Sequence, residues 1–249
     1  MNSNINYNEY ILSKIEKKKI LFISIILTIV IAFLFYNSPI ALIIFFLLYK
    51  LVKDKLIEDG KTKRRKILEN QFVDALQSIS TSILSGYSVE NAFKEAENEI
   101  EQLHSKKSVM YKELNQINKS VDLNIPLEQL LDDFAQRSGV EEIKNFAEVF
   151  YYAKRGSGDF VKIIEKSVSH IRESIDISNE INVLIAAKKY EQKIMSMVPI
   201  FIIAYLRVTS GGYLNPLYNN FFGAFFMSIC LVAYYISLKW EKRILEIEV

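Results

Sequence analysis

Cysteine and histidine are nearly missing from this 249-residue chain: one Cys, Cys230, and two His, His104 and His170. A lone cysteine excludes an intramolecular disulfide, and so few ligands exclude a Cys/His zinc cluster. Glycine and proline are scarce as well, at eight and four residues, which argues against a loop-rich all-β fold. There is no phosphate-binding loop, because Gly156 and Gly158 lack a following Gly-Lys-Ser/Thr. No His-Glu-x-x-His pair occurs, and Cys230 stands in an apolar run without a neighbouring base to activate it. The expectation is a protein that is not an enzyme and takes no cofactor and no metal.

Charge is absent in a more telling way. Residues 20–49 carry none and residues 208–238 carry none, while the rest of the chain is dense in it. A soluble domain spreads its apolar residues periodically; long uncharged runs predict membrane spans. Residues 20–36 make roughly 26 Å of helix. Asn37-Ser38-Pro39 then breaks the run, and residues 40–52 continue it if Lys50 snorkels. Lys14, Lys17, Lys18 and Lys19 precede this block, and Lys50, Lys53 and Lys55 follow. Positive flanks mark the cytoplasmic side, so two of them require an even number of crossings: a hairpin with spans 20–36 and 40–52. No small-residue cleavage site follows, so the block is read as retained.

The second block repeats the pattern. Lys188, Lys189 and Lys193 precede residues 194–208, and Lys239, Lys242 and Arg243 follow residues 221–238. The uncharged connector 209–220 contains Gly211, Gly212, Asn215 and Pro216, which predicts a second hairpin over 194–238. Trp240, Tyr234 and Tyr235 at one end, and Tyr213 and Tyr218 at the other, are placed like interfacial aromatics. Arg207 is the one charge well inside an apolar run, and snorkelling to the outer interface is preferred to a role within the membrane. The expected layout is an N-terminal segment 1–19, a hairpin 20–52, a cytoplasmic domain 53–193, a hairpin 194–238 and a tail 239–249. Both termini and the domain lie on the cytoplasmic side of the cell membrane.

Residues 53–193 show the three-and-four spacing of amphipathic helices and no sustained alternation of period two. Leu68, Phe72, Leu76, Ile79 and Ile83 fall on one face of a first helix. Ser88 is read as the N-cap of a second, with Val89, Ala92, Phe93 and Ala96 apolar. Met110, Leu114, Ile117 and Val121 mark a third over 109–121. Pro126 opens a fourth, carrying Leu127, Leu130, Leu131 and Phe134, and Ser138-Gly139 stops it. Ile143, Phe146, Ala147 and Phe150 define a fifth. Gly156-Ser157-Gly158 breaks the chain, and Asp159 caps a long sixth in which Phe160, Ile164, Val168, Ile171, Ile175, Ile181, Leu184 and Ile185 recur. That helix is expected to run into the third span, with Pro199 kinking it there. The fold class is all-α: two transmembrane helical hairpins flanking a six-helix bundle.

A weak repeat runs through the domain. Gly86-Tyr87-Ser88-Val89-x-x-Ala92-Phe93 matches Asn124-Ile125-Pro126-Leu127-x-x-Leu130-Leu131, with a looser third copy at Gly158-Asp159-Phe160. Such turns recur in any antiparallel bundle, and a duplication is the alternative.

Charge divides the domain. Residues 50–66 hold eight basic and three acidic residues, net +5, whereas residues 67–187 hold twelve basic and twenty acidic, net −8. The membrane-proximal basic group Lys61, Lys63, Arg64, Arg65 and Lys66 fits orientation and contact with anionic lipid, worth about 1 kcal/mol per residue near the surface. No base-reading motif accompanies it, so nucleic acid is not expected. Asp132-Asp133 and Glu141-Glu142 flank Arg137. Adjacent carboxylates point to different helix faces, which suits salt bridging or solvent exposure rather than paired acid–base chemistry. With the net negative charge, Asp132, Asp133, Arg137, Glu141 and Glu142 are the candidate contacts for a basic partner.

Two stretches together are more specific. Leu84-Ser85-Gly86-Tyr87-Ser88-Val89-Glu90-Asn91-Ala92-Phe93 resembles the first signature of the type II secretion F domain, and residues 125–137, from Ile125-Pro126-Leu127 to Ala135-Gln136-Arg137, resemble the second. The turn at Gly156–Asp159 with Gly158, the long helix after it and Pro199 at the start of the next span fit the same family. The resemblance covers roughly residues 68–199. It implies an inner-membrane platform protein of type II secretion or type IV pili, whose cytoplasmic six-helix bundle engages a hexameric assembly ATPase and helps lift pilin or pseudopilin subunits out of the membrane. One bundle between two hairpins is similar to the tight-adherence (Flp/Tad) branch. Because many members carry two bundles, it also implies pairing with itself or with a homologous platform protein. The small residues Gly223, Ala224, Ser228 and Ala233 offer surfaces for close helix approach. Asn124 departs from the glycine usual before the Pro-Leu pair, but Asn tolerates a left-handed backbone. The family brings no catalytic residues. A small helical transporter or channel subunit is the alternative; it would line several spans with polar residues.

Overall fold

The computed structural model describes residues 7, 12–36, 44–156, 159–210, 212, 214–218 and 220–247. Helix is the only extended secondary structure among them, and no strand occurs there. The helices are α1 (Lys14–Ile31), α2 (Ile44–Leu84), α3 (Val89–His104), α4 (Val109–Asp122), α5 (Leu127–Ser138), α6 (Glu141–Arg155), α7 (Phe160–Thr209) and α8 (Phe221–Ile247). A π-helical turn, Ala32–Tyr36, continues α1, and a 3₁₀ turn, Asn215–Leu217, precedes α8.

Local chemistry sets these boundaries. Ser13 caps α1 in a full capping box, its hydroxyl accepting from the Ile15 amide while Glu16 accepts from the Ser13 amide at 2.8 Å. Ser88 and Ser108 cap α3 and α4 by accepting from the third residue onward, Asn91 and Tyr111. Asp159 accepts from the Lys162 amide at the start of α7. Pro126 occupies the N-cap position of α5, where its missing N–H costs nothing.

The chain divides into two units. One comprises Tyr7 and Glu58–Ile177; the other comprises Leu12–Ile57 and Ser178–Val249, each over its described residues. In the first, the apolar stripes of α2 to α7 close on one core. Phe72, Phe93, Phe134, Phe146 and Phe150 are at most 2% exposed. Their rings meet mostly edge-on, Phe72 against Phe134 at 6.2 Å and Phe93 against Phe150 at 6.3 Å. Such pairs add about 0.5–1.5 kcal/mol each beyond their buried area. Each apolar set expected for the helices of this unit lies in or against this core.

In the second unit, Leu34, Phe35, Tyr218 and Met227 are buried together. The Tyr218 hydroxyl donates to the Leu34 carbonyl at 2.6 Å, and the hydroxyls of Tyr36 and Ser228 lie 2.7 Å apart. Gly223 is needed here: a Cβ would stand 2.4 Å from the Leu217 carbonyl oxygen. Its small surface therefore serves packing within the chain.

Among the described residues, three helices are long and apolar enough to cross a membrane: Lys14–Tyr36, Phe160–Thr209 and Phe221–Glu241. That is compatible with a membrane protein. The expected span 40–52 lies partly outside the described residues; its described part, residues 44–52, opens α2, a 41-residue helix that continues through Lys50, Lys53, Asp54 and Lys55. The turn at Asn37-Ser38-Pro39 lies outside the described residues, as do Ser157, Gly158, Gly211 and Tyr213. Three other expectations shift. The first bundle helix begins at Ile44 and is continuous with the apolar stretch. Helix α1 begins at Lys14, inside the segment expected to precede it. Leu184 is 68% exposed because its neighbour Ile185, at 6%, takes the inward position. Pro199 lies inside α7, which runs on through it to Thr209.

Candidate functional site

The two stretches that carry the family resemblance fold into the same turn. At the end of α2, Gly86 has φ +90°, the Tyr87 amide donates to the Ser82 carbonyl at 3.1 Å and the Gly86 amide to Ile83 at 3.0 Å. At the end of α4, Asn124 has φ +63°, the Ile125 amide donates to Ser120 at 3.1 Å and the Asn124 amide to Val121 at 2.8 Å. Both are Schellman closures, with the six-to-one and five-to-two bonds in place. Asn124 takes the left-handed backbone expected of it. Gly156 ends α6 differently, with an extended backbone and φ −76°.

Arg137 is turned inward. It makes a two-pronged pair with Glu113, Nη1 to Oε1 at 3.1 Å and Nη2 to Oε2 at 2.9 Å, and its Nε donates to Asp133 at 2.7 Å. The Glu113 side chain is 1% exposed and that of Arg137 12%. Tyr7 completes the cluster: fully buried, it donates its hydroxyl to Glu113 Oε1 at 2.6 Å and its amide to the Arg137 carbonyl at 3.1 Å. The Arg64 guanidinium lies 4.9 Å from the Tyr7 ring centroid. Burial first, then the charge of Glu113 and its hydrogen bond, push the Tyr7 phenol above its ordinary range. Burial alone would lower the Arg137 pKa; its hydrogen bonds to the Glu113 and Asp133 carboxylates, and their charges, outweigh it and hold the guanidinium charged.

The remaining acidic candidates stay on the surface. Asp132 is exposed and accepts from Gln136 at 2.9 Å; Glu141 is exposed and Glu142 half-buried. Asp132 borders a groove of about 710 Å³ between α5 and α6, with Glu128, Glu148 and the exposed rings of Tyr151 and Tyr152. Glu142 borders a second of about 550 Å³ between α6 and α7, which shares Glu148 and Tyr152. The structure thus brings Asp132 and Glu142 to adjoining grooves and directs Asp133 and Arg137 into the clamp. Within the basic group, Arg64 covers Tyr7 and Lys66 pairs with Glu69 at 3.3 Å, while Lys63 is exposed and Lys61 and Arg65 are half-buried.

At the far end of α7, Arg207 sits among aromatics, 3.8 Å from the ring centroid of Phe33 and 5.0 Å from that of Tyr218. His104 pairs with Asp74 at 2.7 Å, and His170 borders the α6–α7 groove. Among the described residues, no group of three His, Cys, Asp or Glu is placed to hold a metal ion.

Tyr7 and Glu113 escaped the sequence reading. A signal for Glu113 existed: it falls between Met110 and Leu114, Ile117 on the apolar stripe of α4, where an unpartnered charge is not tolerated. Tyr7 lies in a short stretch with no sustained periodicity, and its partner is 106 residues away in the chain. Comparison with protein-family models, with curated proteins and with solved structures finds no match.

Proposed function

We propose that the chain is a platform protein of the type II secretion F-domain kind, in the manner of the tight-adherence branch. On this reading it is a non-enzymatic membrane anchor whose bundle takes up the motion of a cytoplasmic assembly ATPase and passes it to pilin or pseudopilin. The observation that carries the reading is the pair of matching turns at Gly86 and Asn124, which occur at the two stretches resembling the family signatures. Supporting it, α7 is one uninterrupted helix from the bundle core at Ile164 to the apolar run ending at Thr209, a continuous path for force or rotation.

The two-hairpin topology belongs to the same proposal, and Tyr7 supports it. Tyr7 is bonded within the bundle and Ser13 caps α1 six residues later in the chain, a linkage short enough to support a start of α1 on the bundle's side of the membrane. A chain that leaves through α1 must return before Glu58, where α2 re-enters that unit. The return then falls to residues 37–57, including the apolar start of α2, with Lys50 snorkelling and local bilayer thinning making up its length. Positive flanks support a cytoplasmic bundle.

The test is binding of the full chain, in lipid nanodiscs, to a hexameric secretion ATPase, which this reading expects among its genomic neighbours. Binding is expected to weaken with salt, because exposed charges are screened beyond about 10 Å at 0.1 M. It should weaken further in Asp132→Asn with Glu141→Gln. No binding at any ionic strength would overturn the platform reading; salt-independent binding would overturn its electrostatic part.

A further inference from the structure

We infer that Arg207 forms a lipid-headgroup site, its guanidinium holding the phosphate of a phospholipid at the membrane interface remote from Lys193. Arg207 is the one charge in residues 194–238, and residues 20–49 carry none. Two helices agree on its height. Arg207 lies fourteen residues beyond Lys193 on α7, and Phe33 lies fourteen beyond Lys19 on α1 and its π-helical turn. Each count is about 21 Å of helix. The two side chains do meet, with the guanidinium carbon 3.8 Å from the Phe33 ring centroid. A hydrocarbon core is about 30 Å thick, so with those lysines at one interface the other lies about 9 Å beyond Arg207. Snorkelling by Lys19 and Lys193 draws both helices further across and brings Arg207 nearer to that interface.

The chain holds the guanidinium in place there. Its second aromatic contact is Tyr218, 5.0 Å away at the ring centroid. Tyr218 is buried and fixed by its hydroxyl, which donates to the Leu34 carbonyl at 2.6 Å. The π-helical turn after α1, the end of α7 and the connector before α8 therefore converge on one cation. Aromatic rings attract a guanidinium through its face, whereas its five N–H donors lie in its plane. A bond within the chain therefore leaves donors over for a ligand. That planar fork matches two phosphate oxygens at once and is weakly hydrated, so it suits the edge of a hydrocarbon layer. Neither apolar run contains an Asp or Glu, and lipid phosphate is the anion that this depth supplies.

The experiment reconstitutes the full chain in vesicles of phosphatidylcholine and phosphatidylglycerol, extracts it in mild detergent and counts the retained lipid by native mass spectrometry. Arg207→Gln is expected to retain one tightly bound phospholipid fewer, with that species falling about tenfold. Arg207→Lys keeps the charge without the fork and should fall between the two. Lys61→Gln with Lys63→Gln, in the basic segment of α2, should leave this species unchanged. Equal retention by wild type and Arg207→Gln would overturn the inference, as would displacement of the lipid by inorganic phosphate, which would mark a site for free anions. A second arm needs no variant. Phosphatidylglycerol with a photoactivatable headgroup is cross-linked to the wild-type chain, and adducts are expected in residues 205–218. Adducts confined to residues 50–66, or to any other segment, would overturn it too. The inference rests on the membrane reading of the apolar helices, and a chain that does not enter vesicles would overturn both. Neither arm involves an ATPase or a pilin, so a lipid result leaves the platform reading to its own test.

Discussion

Tyr7 and Glu113, 106 residues apart in the chain, share a 2.6 Å hydrogen bond in the interior of the helical bundle. The bond closes a chain of contacts from Arg64 over the Tyr7 ring, through Glu113, to Arg137 and Asp133. A carboxylate with 1% exposure is costly to desolvate, and here the phenol and the two guanidinium bonds satisfy it. The clamp therefore ties Tyr7 to α2, α4 and α5 at once.

Removing its parts should cost unequal amounts. Tyr7→Phe keeps the ring and deletes one hydrogen bond to a charged acceptor, a loss of about 1.5–3 kcal/mol. Glu113→Leu removes the two-pronged partner of a mostly buried guanidinium, and is expected to cost more, about 3–5 kcal/mol. Thermal unfolding of the detergent-solubilised chain measures both. Equal, negligible shifts would show that the clamp contributes nothing to stability.

Two glutamates should shift stability with pH in opposite directions. Burial, then the nearby charge of Glu142, raises the Glu69 pKa above its ordinary 4.5, although Lys66 opposes this. A raised carboxylate favours the fold below the unfolded value and loses that contribution as pH rises through the folded one. Glu69→Gln should therefore stabilise the protein at pH 7 and have little effect near pH 4. For Glu128, burial opposes ionisation, but the backbone N–H and Lys154, at 3.2 Å, prevail and lower its pKa. Its contribution is present above the unfolded value and lost as pH falls through the folded one. Glu128→Gln should destabilise at pH 7, with the difference shrinking in acid. Melting curves of both variants from pH 4 to 7 check the signs; shifts of the same sign at pH 7 would refute the assignment.

What the sequence showed and what it hid divide along physical lines. The bundle helices were legible because their apolar residues recur at three and four, and because Ser88, Pro126 and Asp159 punctuate them with cap and turn chemistry. Their caps and buried faces lie as that pattern requires. Arg137 was legible as an ion-pairing residue, but its neighbours in sequence, Asp132 and Asp133, drew attention from Glu113, which only the fold brings near. Tyr7 was hidden because its segment is too short to show a sustained period and its partner Glu113 is far off in the chain. The start of α2 was legible in part: composition locates the apolar stretch, yet nothing in it announces that the same helix runs on to Leu84.

The paired turns allow a test of left-handed backbone at matching positions. Gly86 has φ +90° and open space where a Cβ would go, so Gly86→Ala meets no neighbour and costs backbone strain alone, about 1–2 kcal/mol. Asn124 already bears a side chain at φ +63°, and Asn124→Gly should gain a little or leave stability unchanged, within about 1 kcal/mol. Opposite outcomes in thermal unfolding, with Gly86→Ala harmless and Asn124→Gly damaging, would mean the two turns are not equivalent.

The return of the chain between Tyr36 and Glu58 is the point on which the membrane topology turns. If Tyr7 holds the start of α1 on the bundle's side, then Lys17 and Lys55 lie on one side of the membrane and Ser38 on the other. On the same proposed topology α7 crosses outward before Thr209, so Asn215, in the 3₁₀ turn before α8, shares the side of Ser38. Single cysteines at these four positions and at Asn115, in the Cys230→Ser background, separate the possibilities when intact cells meet a membrane-impermeant thiol reagent. Labelling is expected at positions 38 and 215, and protection until lysis at 17, 55 and 115. A three-span chain, in which residues 44–57 do not recross, would put Lys17 and Lys55 on opposite sides, so that one of them reacts from outside. That result would also contradict the Tyr7–Glu113 bond, since a residue ten positions before an exposed Lys17 could not reach the interior of a bundle on the other side. Tyr7→Ala refines the test: with the clamp removed, an unchanged pattern means the positive flanks alone hold the topology, and a mixed pattern means the clamp helps to set it.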